Sequence, residues 1–425
     1  MLQASPTASL EAFSTAWARV VDDTIVRGEG ACLHAASGKQ YLDFTSGIGV
    51  TNTGHCHPAV VAAVREQAEK LLFGQMNCVV PETAVELAET LTPIMPEGLD
   101  GYFFSNSGAE AVEGAVKLAR VVTGKPNIIA FQGGFHGRSA MTMALTSSKT
   151  VYRAGYQPLP GGVFFSPFPY TLRYGWDEEQ TVDFCLRELE HVLASQTAPS
   201  ETAAMLLEPV LGEGGYVQAP MRFIAGLREV CDRHGILLIV DEIQSGFGRT
   251  GRWWAHSPSG ARPDILTLAK GIASGLPMSV IAAPREMMHR WPPGTHGGTY
   301  GGGSAIAQAA AVATIRAIQD EGMIDNARER GEQLTARLKE VADRHDCLRE
   351  IRGPGLMVGC EFTAGAEGKK IAGAVSKHCA EAGLLLLTCG TDGNVVRFIP
   401  PLIVTAEQID HAADLFADAV AAAAK

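Results

Sequence analysis

Apolar positions change their spacing along this chain in a regular way. Short apolar runs at 102–104, 127–131, 161–165, 203–207, 236–240, 265–268 and 278–282 read as buried strands. Segments 108–122, 178–194 and 220–233 carry the three-to-four-residue period of helices and fall between several of those runs. Strands alternating with helices predict an α/β fold, a mostly parallel sheet covered on both faces.

The flanks read differently. Residues 1 to about 55 form an irregular arm, in which Ala31–His34, a turn at Ser37-Gly38 and Gln40–Phe44 read as a hairpin. His57-Pro58 opens a helix to about Leu72, with Val60, Val61, Val64 and Ala68 on one face, and a second helix covers 82–91. From Ser304 a helical stretch runs to about Arg344 with a break near Gly322. Strands at Leu348–Arg352, Met357–Phe362, Leu384–Thr388 and Val395–Phe398 then alternate with helices at 369–382 and 406–423. The expected division is an arm (1–55) that joins a small α+β domain (311–425), and a large domain (56–310) carrying the main sheet.

Composition narrows the class. A formal net charge of −11 argues against nucleic-acid binding, and no apolar run reaches membrane-spanning length. Met1 to Leu10 show neither a basic nor an apolar segment of a secretory signal. Nine cysteines, scattered without a Cys-x-x-Cys pair, fit a reducing cytoplasm better than a disulfide framework. Cys56 between His55 and His57 superficially suggests a metal, but adjacent residues rarely point at one ion, so none is expected.

Chemistry concentrates after the strands. Leu237-Leu238-Ile239-Val240-Asp241-Glu242 delivers an acid at a strand end, and Lys270-Gly271 closes another apolar run twenty-nine residues after Asp241. A lysine able to form a Schiff base and an acid able to pair with a pyridinium nitrogen are what pyridoxal phosphate requires. An ordinary surface lysine and strand-end acid would give the same spacing. Ser105-Asn106-Ser107-Gly108-Ala109-Glu110 opens a helix with free amides and a hydroxyl, suiting a phosphate, or is a plain capping box. Gly133-Gly134-Phe135-His136-Gly137-Arg138 offers a flat ring and a carboxylate fork. Glu208 and Glu213 follow a further strand, and the glycine-rich loop 295–303 presents Thr299.

Taken in order, these segments resemble the class III, or ω-, aminotransferases of the aspartate aminotransferase fold (fold type I of the pyridoxal-phosphate enzymes). The similarity runs from about residue 20 to 415 and includes Asn52-Thr53-Gly54-His55 and Asp241-Glu242-Ile243-Gln244-Ser245-Gly246-Phe247-Gly248-Arg249. The resemblance implies that Lys270 is the Schiff-base and proton-moving lysine, and that Asp241 keeps the pyridine nitrogen protonated. Ser107 and Gly108 would grip the phosphate, with Thr299 reaching it from the neighbouring subunit of a homodimer; pairing of dimers into tetramers stays open. Phe135 and Ile243 would sandwich the ring, and Gln244 would bond its phenolic oxygen.

Within that family the motifs are most similar to 4-aminobutyrate aminotransferases. Ile48 and Arg138 match the distal-carboxylate pocket, and Glu213 and Arg397 match a switching pair. This implies transfer of the amino group of 4-aminobutyrate, or a similar ω-amino acid, to 2-oxoglutarate, giving succinate semialdehyde and L-glutamate. Phe135 stands where many relatives have Tyr, and Leu211 where many have Gln. Acetylornithine, β-alanine and diamine aminotransferases share most of these motifs. So does a different reaction class, amino-acid racemases and epimerases. A catalytically dead binding protein is disfavoured by the intact Lys270 and Asp241.

Overall fold

The structure, a computed structural model, describes residues 12–300 and 302–423. The start of the expected N-terminal arm (1–11) and Gly301 of the glycine-rich loop lie outside the described residues.

Among the described residues the main sheet has seven strands. Their order is Gly101–Ser105, Ser279–Ala283, Ile265–Leu268, Leu237–Asp241, Thr202–Leu207, Asn127–Phe131 and Val163–Ser166. All pairings are parallel except those of Ser279–Ala283, which runs against both neighbours. Thr202–Leu207 and Ile265–Leu268 are buried at every position, as strands covered on both faces must be. The helix Gly108–Thr123 turns Ala111, Ala115 and Ala119 inward, small residues that let it lie close to the sheet. Ser107 and Glu110 cap its start reciprocally, and Gly124 ends it in the left-handed conformation.

Two smaller sheets join distant parts of the chain. Ile25–Glu29, Cys32–Ala35 and Gln40–Asp43 form one with Leu384–Leu385, which pairs parallel to Gln40–Asp43. Leu348–Arg352, Val358–Phe362, Val395–Phe398 and Leu387–Cys389 form the other. Arg397 lies opposite Gly359 on one side and Leu387 on the other.

The strand expected at Leu384–Thr388 is therefore two. Its first half serves the N-terminal sheet and its second half the C-terminal one, with a fully buried Leu386 between. An unbroken apolar run carries no mark of where its hydrogen-bonding partner changes. The helix expected from 369 starts at Gly365, and the strand expected at 161–165 is Val163–Ser166. The strand Ile25–Glu29 and the short hairpin of Val210–Leu211 with Val217–Gln218 have no apolar period to announce them.

Candidate active site

Five loops leave the carboxyl edge of the main sheet, after Ser105, Phe131, Leu207, Asp241 and Leu268, and converge on a cavity of about 360 Å³. Ligands bind at this edge of open α/β sheets because helix N-termini and loop amides face it. Nine of the residues singled out from the sequence line the cavity: Ser107, Gly108, Phe135, Glu208, Glu213, Asp241, Ile243, Gln244 and Lys270.

Lys270 stands just beyond the strand Ile265–Leu268 with a φ of 48°, in the left-handed region that side chains other than glycine seldom adopt. Its turn is braced from behind. A Cβ on Gly271 would stand 2.4 Å from Asn52 Nδ2. Asn52 in turn donates to the Phe247 carbonyl oxygen (2.9 Å) and accepts from Arg249 Nη2 (2.8 Å). Burial pulls the Lys270 amine from 10.5 down to about 8, against the opposing pull of Glu213.

The acidic pair at the end of Leu237–Asp241 divides its labour. Asp241 faces the cavity, where its Oδ2 meets His136 Nδ1 at 2.8 Å and its Oδ1 accepts from the Ile243 amide at 3.1 Å. Glu242 is fully buried and accepts from the backbone amide of His256, with His256 Nδ1 at 2.7 Å. Glu208 accepts from the Phe135 amide (2.7 Å) with one oxygen and from the Gly212 amide (2.9 Å) with the other. Burial raises its carboxyl to about 7, and the nearby His136 moderates the rise.

Glu213 and Arg397 form an ion pair of 2.6 Å, with side chains 12% and 3% exposed. Tyr152 donates its hydroxyl to the other Glu213 oxygen at 2.8 Å. Burial alone would raise the Glu213 carboxyl, but Arg397, the Tyr152 hydroxyl and Lys149 hold it down at about 2. Arg397 shifts the other way: burial works against its charge, and Glu213 more than compensates.

Four of the residues read from the sequence stand outside the cavity lining in the single chain: Arg397, which is buried against Glu213, and three exposed ones. Arg138 is exposed, and its guanidinium stacks 4.7 Å from the centre of the Tyr152 ring. Ile48 is exposed in a left-handed turn with φ of 69°, two residues before Val50, which does line the cavity. Thr299 is exposed beside Tyr300. His55 pairs with Asp43 (2.8 Å) and His57 with Glu321 (3.1 Å), so the two histidines flanking Cys56 serve separate carboxylates.

The sequence alone assigns no role to His136, Lys149 or Tyr152. His136 carried a signal, being next to Phe135 in a glycine-rich turn at a strand end. Lys149 and Tyr152 sit in an irregular segment after the short helix Ala140–Leu145, where no period or motif marks them.

Residues 14–420 match the family model for aminotransferase class-III. The chain is a class III aminotransferase. It is 42% identical to a 5-aminovalerate aminotransferase of Pseudomonas putida, over 86% of this chain and 85% of that one. It is 37% identical to a 4-aminobutyrate aminotransferase of Escherichia coli, over 90% of each. The solved (S)-enantioselective omega-transaminase of Thermomicrobium roseum superposes with a TM-score of 0.87 at 30% identity, covering 94% of this chain and 92% of that one. The class III aminotransferases depend on pyridoxal phosphate and share fold type I, the fold expected from the sequence. No helix among the described residues is long and apolar enough to cross a membrane.

The cavity of this aminotransferase fits that cofactor. Gln244 Oε1 is buried there without a hydrogen-bond partner, an unmet polar group at a wall lacking side-chain bulk. The wall is bare because a Cβ on Gly212 would come within 2.8 Å of that oxygen. The cavity is also lined by the start of the helix Gly108–Thr123, capped by Ser107, a natural seat for a phosphate.

Proposed function

We propose that this aminotransferase moves the amino group of 4-aminobutyrate, or a similar ω-amino acid, to 2-oxoglutarate, yielding succinate semialdehyde and L-glutamate. The observation that carries this reading is the buried ion pair of Arg397 with Glu213, a residue that lines the Lys270 cavity. An ω-amino acid brings no carboxylate to its reacting carbon, so Arg397 keeps Glu213 as its partner. Glutamate brings one, and Arg397 turns to it. The names of the relatives, 5-aminovalerate and 4-aminobutyrate aminotransferases, support an ω-amino donor.

Ser107 and Gly108 would hold the cofactor's phosphate, Phe135 and Ile243 its two ring faces, Gln244 its phenolic oxygen and Asp241 its ring nitrogen. The bound cofactor supplies an electron sink, which lets the carbon bearing the amine give up a proton. Lys270 would take that proton at Nζ and hold it for its return as the amino group is transferred; a depressed amine pKa suits a base working near neutrality. His136 fixes the carboxylate of Asp241 in one orientation. Arg138, beside Tyr152, would take the carboxylate that both substrates carry at their far end.

The assembly belongs to the same proposal. Leu71, Leu72, Val79, Val80 and Tyr300 are exposed apolar residues, and Phe73 packs on Tyr300 with ring centres 5.7 Å apart. A homodimer that covers this surface would also bring Thr299 towards a neighbour's phosphate seat. The division into an arm (1–55), a large domain (56–310) and a small domain (311–425), and a cytoplasmic setting for nine unpaired cysteines, complete the reading.

A panel of 4-aminobutyrate, 5-aminovalerate, acetylornithine, β-alanine and diamines against 2-oxoglutarate and pyruvate tests it, with chiral analysis of the products. Turnover of ω-amino acids with 2-oxoglutarate is expected. Interconversion of L- and D-amino acids without any keto acid would make the protein a racemase.

A further inference from the structure

We propose that Tyr152 and Lys149 form a resting place for the Glu213 carboxylate, keeping it ionised when a substrate α-carboxylate draws Arg397 away. This rests on the switch proposed above and gives that switch its second position. The two residues would act through Glu213, as positioning residues for dicarboxylate substrates.

A charge pair of this kind has a difficulty built into it. When Arg397 turns to a substrate, Glu213 stays behind in a site where only 12% of its side chain meets solvent. A buried carboxylate without a partner takes up a proton or resists the change. Either response would make binding of glutamate and 2-oxoglutarate weak and pH-dependent.

The geometry removes that difficulty. Arg397 approaches Glu213 Oε1, whereas Tyr152 donates to Oε2 (2.8 Å), so the hydroxyl does not depend on the arginine. Lys149 sets its Nζ 6.0 Å from the Tyr152 ring centre, and its charge adds to the groups that lower the Glu213 carboxyl. The Tyr152 ring is itself held, edge-on against Phe135 (5.2 Å between centres) and face-on under Arg138 (4.7 Å). One aromatic side chain thus touches the proposed distal-carboxylate arginine, the cofactor-facing phenylalanine and the switch carboxylate.

The other titratable groups near Glu213 do not offer the same help. Tyr216 and Cys389 are buried neutral groups with pKa values raised by burial, that of Cys389 to about 11. Lys270 belongs to the cofactor, and Arg397 is the partner that leaves. Lys149 is the remaining cation among the charges acting most strongly on Glu213.

Glutarate, which carries both carboxylates and no amine, is the probe. Holoenzyme would be titrated with it calorimetrically at pH 6 to 8, in two buffers of different ionisation enthalpy, to count protons taken up. The wild type is expected to bind glutarate with almost no proton uptake. The double variant Tyr152→Phe, Lys149→Met should bind it about tenfold more weakly at pH 8 and take up close to one proton per site. Its affinity should recover as pH falls, because protonation then neutralises the abandoned Glu213. Tyr152→Phe keeps the ring that Arg138 and Phe135 lean on, so it should show a smaller shift of the same sign.

Arg397→Lys separates the two ideas. If it weakens glutarate binding while the double variant matches wild type in affinity and proton count, the resting place is wrong and the switch stands. If Arg397→Lys binds glutarate as wild type does, the switch itself fails and this inference with it.

Discussion

His136 and Asp241 are both almost fully buried, and His136 Nδ1 lies 2.8 Å from Asp241 Oδ2. They come from one sheet edge but from strands separated by Thr202–Leu207, the histidine from the loop after Asn127–Phe131 and the aspartate from the end of Leu237–Asp241. The Ile243 amide occupies the other aspartate oxygen (3.1 Å), so both oxygens are tied down before any cofactor arrives. A hydrogen bond to a buried charged group contributes about 1.5–3 kcal/mol, so His136→Phe is expected to lower activity about ten- to a hundredfold. Cofactor affinity should fall with it, measured by equilibrium dialysis of pyridoxal phosphate. Asp241→Asn should lose more, since it removes the charge itself. Unchanged cofactor affinity and turnover in His136→Phe would show that the aspartate needs no second support.

Lys270 gives a prediction in pH. Burial lowers its amine from 10.5 to about 8, so the neutral, nucleophilic form predominates above about pH 8. With cofactor removed, the rate at which the apoenzyme captures pyridoxal phosphate covalently should rise with pH and level off near that value. Stopped-flow absorbance would follow the capture, with borohydride trapping and mass analysis to confirm the site. Lys270→Ala should show none while retaining its circular dichroism. A rate still climbing steeply between pH 9 and 10 would mean an ordinary, solvated lysine.

The proposed substrate pair predicts opposite effects at the two ends of one ion pair. Removing one partner of a buried pair costs about 3–5 kcal/mol when the other charge stays uncompensated. Glu213→Gln strands Arg397 in the 4-aminobutyrate half-reaction, where the substrate offers no carboxylate to replace it. Arg397→Lys spares that half-reaction more than the glutamate one, because an ammonium cannot grip a carboxylate with two parallel donors. Arg138→Lys should weaken both. Single-turnover rates with each donor decide the matter; equal losses for both donors in Glu213→Gln and in Arg397→Lys would remove the switch.

Periodicity and motif reveal different parts of such a molecule. Strands such as Thr202–Leu207 are legible because burial on both faces demands an unbroken apolar run. Asp241 and Lys270 are legible as polar groups closing apolar strands, and Phe135, Ile243 and Gln244, which line the same cavity, through the resemblance of their motifs to a family. Leu384–Leu385 and Leu387–Cys389 are not separable by eye, since both are simply apolar while their partners differ. Tyr152 is invisible for another reason. Its value lies wholly in touching Glu213, Arg138 and Phe135, residues between 14 and 61 positions away that only the fold brings near. Glu208 shows a third case, its place read from the sequence but its task, clamping the amides of Phe135 and Gly212, seen only in three dimensions.

Thr299 carries the prediction about assembly. The residue is exposed in the single chain and does not line the cavity that Ser107 and Gly108 enclose. An exposed hydroxyl next to an exposed Tyr300, in a loop of glycines, fits a group that completes a neighbour's site. If so, a subunit carrying Lys270→Ala still lends its Thr299, and a subunit carrying Thr299→Ala still has its own Lys270. Mixed dimers should then contain one site with both residues intact and one with neither. Activity is expected to return in verified mixed dimers, towards one competent site in each, although either parent alone is inactive or strongly impaired. Differently tagged subunits, refolded together and purified through both tags, would supply that sample. Mixed dimers no more active than the mean of their parents would mean that each subunit builds its site alone.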